Sequence, residues 1–198
     1  MGSRIIKTLK IFLVVVGLVV SNSSAAFDGN RQGFILGLGA GLHTIDIDFK
    51  LGGSTAQSDS ESGIATSFKI GGGITNQFAL YYVRNSSWYS APGNNGFTVS
   101  DMIFTVGISG VGATYYFSPS APSGYILGAI GLGDISAPFE NNVSTDTGDA
   151  YMLGGGYEAS KGLHFEVTYL VTDLDSSDLN SLTLETSSIQ LTVNYLWY

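Results

Sequence analysis

The segment 189–198 constrains the fold of this chain most, because its residues alternate between apolar and polar side chains. The apolar parity consists of Ile189, Leu191, Val193, Tyr195 and Trp197, and the polar parity of Gln190, Thr192 and Asn194. Such alternation predicts a β-strand with one apolar and one polar face. A strand of this kind can lie between lipid on one side and a polar interior on the other.

The beginning of the chain is typical of a secretory signal peptide. Its positive charges are Arg4, Lys7 and Lys10. The apolar segment 11–20 is too short to span a bilayer, and the small residues Ser24 and Ala26 have the spacing of a cleavage site. We therefore expect residues 1–26 to be removed and residues 27–198 to form a single domain.

Charge and composition narrow the possible functions. The first 26 residues contain three of the eight basic residues and no acidic residue, so the remainder has a formal charge of −11. A surface this acidic repels phosphates, which argues against nucleic acid as a partner. The chain has no Cys, so neither disulfides nor a lipid-modified cysteine can stabilise or anchor it.

Alternating segments recur along the chain and predict eight strands. Their approximate bounds are 34–50, 65–74, 78–84, 98–117, 124–135, 150–159, 163–171 and 183–197. Short turns alternate with four longer polar loops, of which the first is expected over 52–63. This connectivity is typical of an up-and-down barrel. The predicted fold class is all-β, an eight-stranded antiparallel up-and-down transmembrane β-barrel.

Two strands are less regular. In the fourth strand the apolar parity reverses between Ile108 and Val111, which predicts a bulge at residues 109–110. In the fifth strand the sequence does not indicate which parity faces outward.

Five segments together resemble a known family. They are 30–41 (NRQGFILGLGAG), 69–82 (KIGGGITNQFALYY), 112–131 (GATYYFSPSAPSGYILGAIG), 156–169 (GYEASKGLHFEVTY) and the aromatic-ended last strand. In this order they resemble the eight-stranded outer-membrane β-barrels of Gram-negative bacteria, of the OmpA, OmpX and OmpW type. We expect a monomer in the outer membrane, in contact with lipid and lipopolysaccharide, and no cofactor. The resemblance implies insertion by the outer-membrane assembly machinery, which reads the last strand.

The last residue departs from the family pattern. Family members usually end on an aromatic residue in phase with the outward parity, whereas here Trp197 is in phase and Tyr198 follows it. Either the strand slips by one residue near Asn194, or Tyr198 is an unpaired extra residue.

Aromatic residues cluster near the ends of the predicted strands. Those beside the short turns or the termini are Phe34, Phe78, Phe117, Tyr125, Tyr157 and Trp197, and those near the long loops are Trp88, Tyr89, Phe104 and Tyr151. We expect the first set to form a girdle at the periplasmic interface and the second set to form the opposite girdle.

Charged residues of the polar parity are expected inside the barrel, which at eight strands has room only for side chains. Lys69 and Arg84 lie symmetrically about the first short turn, so they should be inward neighbours that need carboxylates. We predict a buried ion-pair cluster of Lys69, Arg84 and Glu166, with Glu158 nearer His164. The cluster is either a structural plug or a gate that opens by exchanging partners, and the need for polar filling favours the plug.

Other candidate residues point to weaker hypotheses. His43 is expected inward beside glycines and His164 near a short turn, so neither is placed to act on lipid and no enzyme is predicted. Asp173, Asp175 and Asp178 could bind Ca²⁺ or Mg²⁺, or share the divalent ions that bridge lipopolysaccharide phosphates. A solvated acidic rim is the favoured alternative, so no metal is predicted.

Three functions remain open at this point. The leading one is an integral outer-membrane barrel with a filled polar lumen and a structural or surface-interaction role through four acidic extracellular loops. The second is a narrow channel for small hydrophobic molecules, which inward Leu80, Tyr82 and Met152 would favour. The third is a soluble carrier of the lipocalin type. The face on which Phe165 and Val167 lie distinguishes the membrane barrel from the carrier.

Overall fold

Eight antiparallel strands close into a barrel in chain order, which confirms the predicted fold class. The computed structural model describes residues 30–51, 54–94, 99–139, 146–175 and 182–198. The strands are β1 (Gly33–Leu51), β2 (Ser54–Gly73), β3 (Phe78–Asn94), β4 (Val99–Tyr116), β5 (Ser123–Ser136), β6 (Asp146–Ser160), β7 (Leu163–Asp175) and β8 (Leu182–Trp197). The signal peptide expected at residues 1–26 lies outside the described residues. Within the described ranges no helix is long and apolar enough to cross a bilayer.

The strand register sets the geometry of the barrel. A path of paired residues that starts at His43 and passes through β8 and the other strands returns to β1 at Gly33, ten residues away. Eight strands with this stagger tilt by roughly 35–45° and enclose an interior that side chains can fill.

The exterior has a broad belt of apolar side chains. Phe165, Val167 and Tyr169 point outward and are 47%, 50% and 50% exposed. Other strands contribute Leu38, Leu42, Ile64, Val111, Tyr115, Ile126, Ile130, Leu132, Tyr151, Leu153, Ile189, Leu191 and Val193. Hydrocarbon, not water, is the solvent that such an exterior fits. The facing of these side chains excludes the lipocalin-type carrier, whose apolar residues would line the interior.

The strands at the loop end are longer than predicted. β2 begins at Ser54, so most of the loop expected over 52–63 is strand paired with β1. This part of β2 is rich in Ser, Asp and Glu and has no apolar parity, because both of its faces lie beyond the apolar belt. Backbone pairing with β1, and not side-chain pattern, therefore determines its structure.

The bulge expected at residues 109–110 is wrong, because β4 pairs continuously with β3 and with β5. Met102, Val106 and Ile108 lie inside the barrel, while Val111 lies on the same outward parity as the rest of the belt. The apolar parity therefore reverses along β4 because the apolar residues of its first part line the lumen, whereas those of its last part face outward. In β5 the inward residues include Tyr125, Leu127 and Ala129.

Five of the six predicted periplasmic girdle residues lie on the outward parity of their strands: Phe34, Phe78, Phe117, Tyr157 and Trp197. Tyr125 is the exception, because the odd-numbered residues of β5 point into the lumen. Tyr89 and Phe104, expected in the second girdle, also lie inside, where their rings stack at 5.8 Å.

Candidate functional site

The turn-side half of the lumen contains a buried ion pair between β2 and β7. The Lys69 Nζ lies 2.5 Å from the Glu166 Oε2, and both side chains are fully enclosed. The Tyr125 hydroxyl donates to the same carboxylate oxygen at 3.1 Å. The structure thus brings together two of the three residues of the predicted cluster.

A second buried ion pair joins the segment before β1 to β6. The Arg31 Nε donates to the Glu158 Oε2 at 2.7 Å, and Nη2 donates to the same oxygen. The Nη1 group donates to the carbonyls of Asn76 and Ser118 at 2.9 and 2.7 Å. The guanidinium also lies over the ring of Tyr116, with the Arg31 Cζ 3.9 Å from the ring centre. Arg31 therefore connects the turns at Asn76 and Ser118 to the barrel wall.

Sequence reasoning missed Arg31, although a signal for it was present. Glu158 lies close to the end of β6 at Ser160, beside a short turn, and its inward carboxylate needs a cation at the same end of the barrel. Arg31 is a basic residue directly before β1, at that end.

Tyr198 completes this second pair. Its hydroxyl donates to the Glu158 Oε1 and accepts from the Gly162 amide at 2.9 Å. β8 keeps one continuous register with β1 and β7 through Asn194, so the slip is wrong. Tyr198 follows Trp197, the last residue of β8, and is the extra residue outside the strand ladder, although its side chain has the partners named above. Tyr198 turns inward on the polar parity and is 6% exposed. Burial raises the pKa of the Tyr198 hydroxyl, which therefore stays protonated and donates.

We expect the variant Tyr198→Phe to lower the free energy of unfolding by about 1–3 kcal/mol. The change keeps the ring but leaves the Glu158 Oε1 and the Gly162 amide without this hydroxyl. Reversible urea unfolding in detergent micelles measures the effect. The variant Tyr195→Phe, at an outward and exposed position of the same strand, is the matched control, and equal effects of the two variants would contradict the inward contact.

His164 lies beside the second pair. Its Nε2 is 4.0 Å from the Glu158 Oε1, and its ring centre is 5.4 Å from that of Tyr125. The predicted neighbours Glu158 and His164 face each other across the β6–β7 ladder. His43 lies further along the lumen, where its Nε2 is 3.0 Å from the Trp88 carbonyl oxygen. Both histidines are buried inside the barrel, away from the lipid surface.

The predicted inward position of Arg84 is wrong. Lys69 pairs with Val83, not with Arg84, and a shift of one residue moves a side chain to the other face of the sheet. Arg84 therefore lies outside, where it binds both carboxylate oxygens of Asp134 and donates to the Ser109 Oγ at 3.0 Å.

The same register places Leu80 and Tyr82 on the outer surface, opposite to the prediction, and leaves Met152 inside. Of the three residues that would favour a channel by lying inside the barrel, only Met152 does so.

The middle of the lumen is a polar network that the sequence did not single out. Asn85 donates to the Gln190 Oε1 at 3.1 Å, and the Gln190 amide donates to the Ser87 Oγ at 3.0 Å. Thr168 donates to the same Gln190 oxygen at 3.3 Å. These bonds connect β3 to β7 and β8 straight across the interior.

The loop-side end of the lumen is apolar. Its buried cluster consists of Ile45, Ile47, Tyr89, Val106, Leu174 and Leu184, with Phe49, Ala91, Phe104 and Ile135 packed against it. These residues come from β1, β3, β4, β5, β7 and β8, so the cluster spans the mouth of the barrel. Ion pairs, the polar network and this apolar cluster fill the lumen in succession.

The acidic residues considered for cation binding are only partly described. Asp173 is exposed near the end of β7 and Asp175 ends that strand, while Asp178 lies outside the described residues. In the part of the chain that the structure describes, no group of three potential ligands is arranged to hold a metal ion.

Several solved structures are similar to this chain. The attachment invasion locus protein Ail of Yersinia pestis is 14% identical, with 83% of this chain and 99% of Ail covered and a TM-score of 0.51. Neisserial surface protein A is 12% identical, with 80% and 96% covered and a TM-score of 0.51. The outer membrane protein OprG from Pseudomonas aeruginosa is 13% identical, with 86% and 99% covered and a TM-score of 0.46.

The likenesses to Ail and to Neisserial surface protein A, each with a TM-score of 0.51, confirm the resemblance at the level of the fold. No family model matches the chain, and no curated protein sequence matches it significantly.

Proposed function

We propose that the chain is an integral protein of the bacterial outer membrane with a filled lumen, and that it acts through its loop end in a structural or surface-interaction role. The observation that supports this most directly is the combination of a broad apolar belt on the exterior with two ion pairs, Arg31–Glu158 and Lys69–Glu166, enclosed inside. Isolated carboxylates facing lipid would be costly, so this facing fits a bilayer. Catalysis is not part of the proposal, because both histidines are buried in the lumen.

Fractionation tests the proposed location. The full chain should pellet with the outer membrane and should migrate differently on gels with and without boiling, because a folded barrel resists detergent until it is heated. A chain recovered in the soluble fraction would contradict the proposal.

A channel role is disfavoured by the three successive layers that fill the interior. We expect no detectable single-channel current from the wild-type protein in planar bilayers, and none from the variant Glu166→Ala, because the polar network and the apolar cluster remain in place. A current that appears only in Glu166→Ala would instead support the gate, in which the Lys69 and Glu166 pair controls passage.

A further inference from the structure

β2 and β3 separate at the loop end of the barrel. Their ladder ends at the pair Ile64 and Trp88, although both strands continue. Beyond this point β2 pairs with β1, and β3 pairs with β4. Among the described residues nothing pairs with residues 58–62 of β2 on the side facing β3. We call this gap the seam.

The direction of the backbone groups at the seam follows from the ladder. The Tyr116 amide donates to the Gln77 carbonyl at 2.8 Å. The backbone N–H and C=O groups of Gln77 and of the odd-numbered residues of β3 therefore face β4. Even-numbered residues of β3 therefore face β2, and the last β2–β3 pair joins two even-numbered residues. The residues of β2 whose N–H and C=O groups face the seam are Ser58, Ser60 and Ser62.

The two edges of the seam are not equivalent. Pro92 belongs to the seam-facing set of β3 and has no N–H to donate, which is typical of a protected edge. His43 contacts the Trp88 carbonyl and so occupies the base of the seam. Residues 54–63 of β2 include no proline. The edge of β2 is therefore the one that can accept another strand.

The charge beside this edge indicates what kind of strand fits. Asp59 and Glu61 alternate with the seam-facing serines and lie on the inner parity of β2. Neither forms an ion pair with a described residue. Two carboxylates so close together disfavour edge-to-edge pairing with a second copy of the chain and favour a basic partner.

We propose that the seam edge of β2 binds an extended, basic segment of a partner protein by strand addition. Backbone groups of that segment pair with Ser58, Ser60 and Ser62, and its inward lysine or arginine side chains meet Asp59 and Glu61. The inference specifies a partner class for the surface role proposed above and rests on it. Binding needs the folded barrel but not the bilayer, so a failed peptide experiment and a failed fractionation are separate results.

Backbone methylation of a peptide tests the pairing on the wild-type protein. The probe is a short peptide of alternating lysine and threonine, acetylated and amidated, added to the full chain in detergent micelles. If the peptide pairs antiparallel to β2 and its lysines face Asp59 and Glu61, its threonine amides face β2. N-methylation of the threonines should then weaken binding by about tenfold or more, and N-methylation of the lysines should not. Equal effects of the two modifications would overturn the proposal.

Protein variants test the same edge independently. Ser60→Pro removes one seam-facing N–H and should weaken binding, whereas Ser60→Ala keeps it and should bind as the wild type does. Asp59→Asn with Glu61→Gln should also weaken binding, whereas Asp149→Asn with Asp173→Asn makes the same change in charge elsewhere on the rim. The shift of gel mobility on boiling verifies that each variant is folded. Equal losses for the two acidic pairs would indicate general electrostatic attraction and would overturn the proposal.

Discussion

Replacing Glu166 by alanine should lower the free energy of unfolding by about 3–5 kcal/mol, because it leaves the buried Lys69 ammonium without its carboxylate. The Lys69 Nζ is 2.5 Å from the Glu166 Oε2 and is enclosed by the barrel, so water cannot replace the lost partner. The variant also removes the acceptor of the Tyr125 hydroxyl. Reversible urea unfolding in micelles or lipid vesicles gives the measurement.

The surface pair of Lys50 and Glu185 provides the matched control. Its Nζ–Oε1 distance is also 2.5 Å, but the side chains are 27% and 41% exposed. Solvent screening limits such a pair to about 0–1 kcal/mol, so Glu185→Ala should change stability little. If the two alanine variants cost the same, the lumen pair is not desolvated as described.

A double substitution separates the value of the pair from the cost of breaking it. Lys69→Met combined with Glu166→Leu removes both charges, and such apolar replacements are often neutral or stabilising. We therefore expect the double variant to be more stable than Glu166→Ala alone. A double variant as unstable as the single one would indicate that packing, and not an unpaired charge, determines the loss.

The membrane-spanning parts of the strands could be predicted from sequence because lipid imposes a strict alternation there. The apolar parity of Phe165, Val167 and Tyr169 in β7 and of Leu191 in β8 is the outward face that the structure has. The alternation fails beyond the belt, where β2 runs from Ser54 through polar residues. Both faces of β2 meet water or polar groups there, so apolar and polar residues do not alternate in this part of the strand.

The site was only partly predictable, because its residues depend on register. The turn between β2 and β3 is asymmetric: the amides of Ile74 and Thr75 both donate to the Phe78 carbonyl, at 2.8 and 3.2 Å. This geometry pairs Lys69 with Val83 and sends Arg84 outside. A one-residue difference in the turn is not visible in composition or periodicity, yet it decides which cation enters the lumen.

Sequence reasoning missed Arg31 for a related reason. It precedes the first strand, where no alternation exists to assign its face. Only the tertiary structure brings it to Glu158, through bonds that also reach the carbonyls of Asn76 and Ser118. Tyr198 likewise follows the last strand, and its contact with Glu158 depends on the closure of the barrel.

An arginine on the lipid face should destabilise the protein strongly in bilayers. Val167 points outward in the middle of the apolar belt, between Phe165 and Tyr169. The variant Val167→Arg should lower the free energy of unfolding by about 2–4 kcal/mol in lipid vesicles, because the guanidinium lies near the bilayer midplane. Denaturant unfolding in vesicles measures the change.

The variant Ser187→Arg is the control, because Ser187 has the outward parity of β8 beyond the last apolar position, Ile189. At the edge of the bilayer the same substitution costs only about 0–1 kcal/mol. On a barrel surrounded by water both variants would be ordinary surface changes within about 0.5 kcal/mol of wild type. A dependence of the arginine cost on depth therefore requires hydrocarbon around Val167, and a uniformly small cost would refute the membrane-spanning arrangement itself.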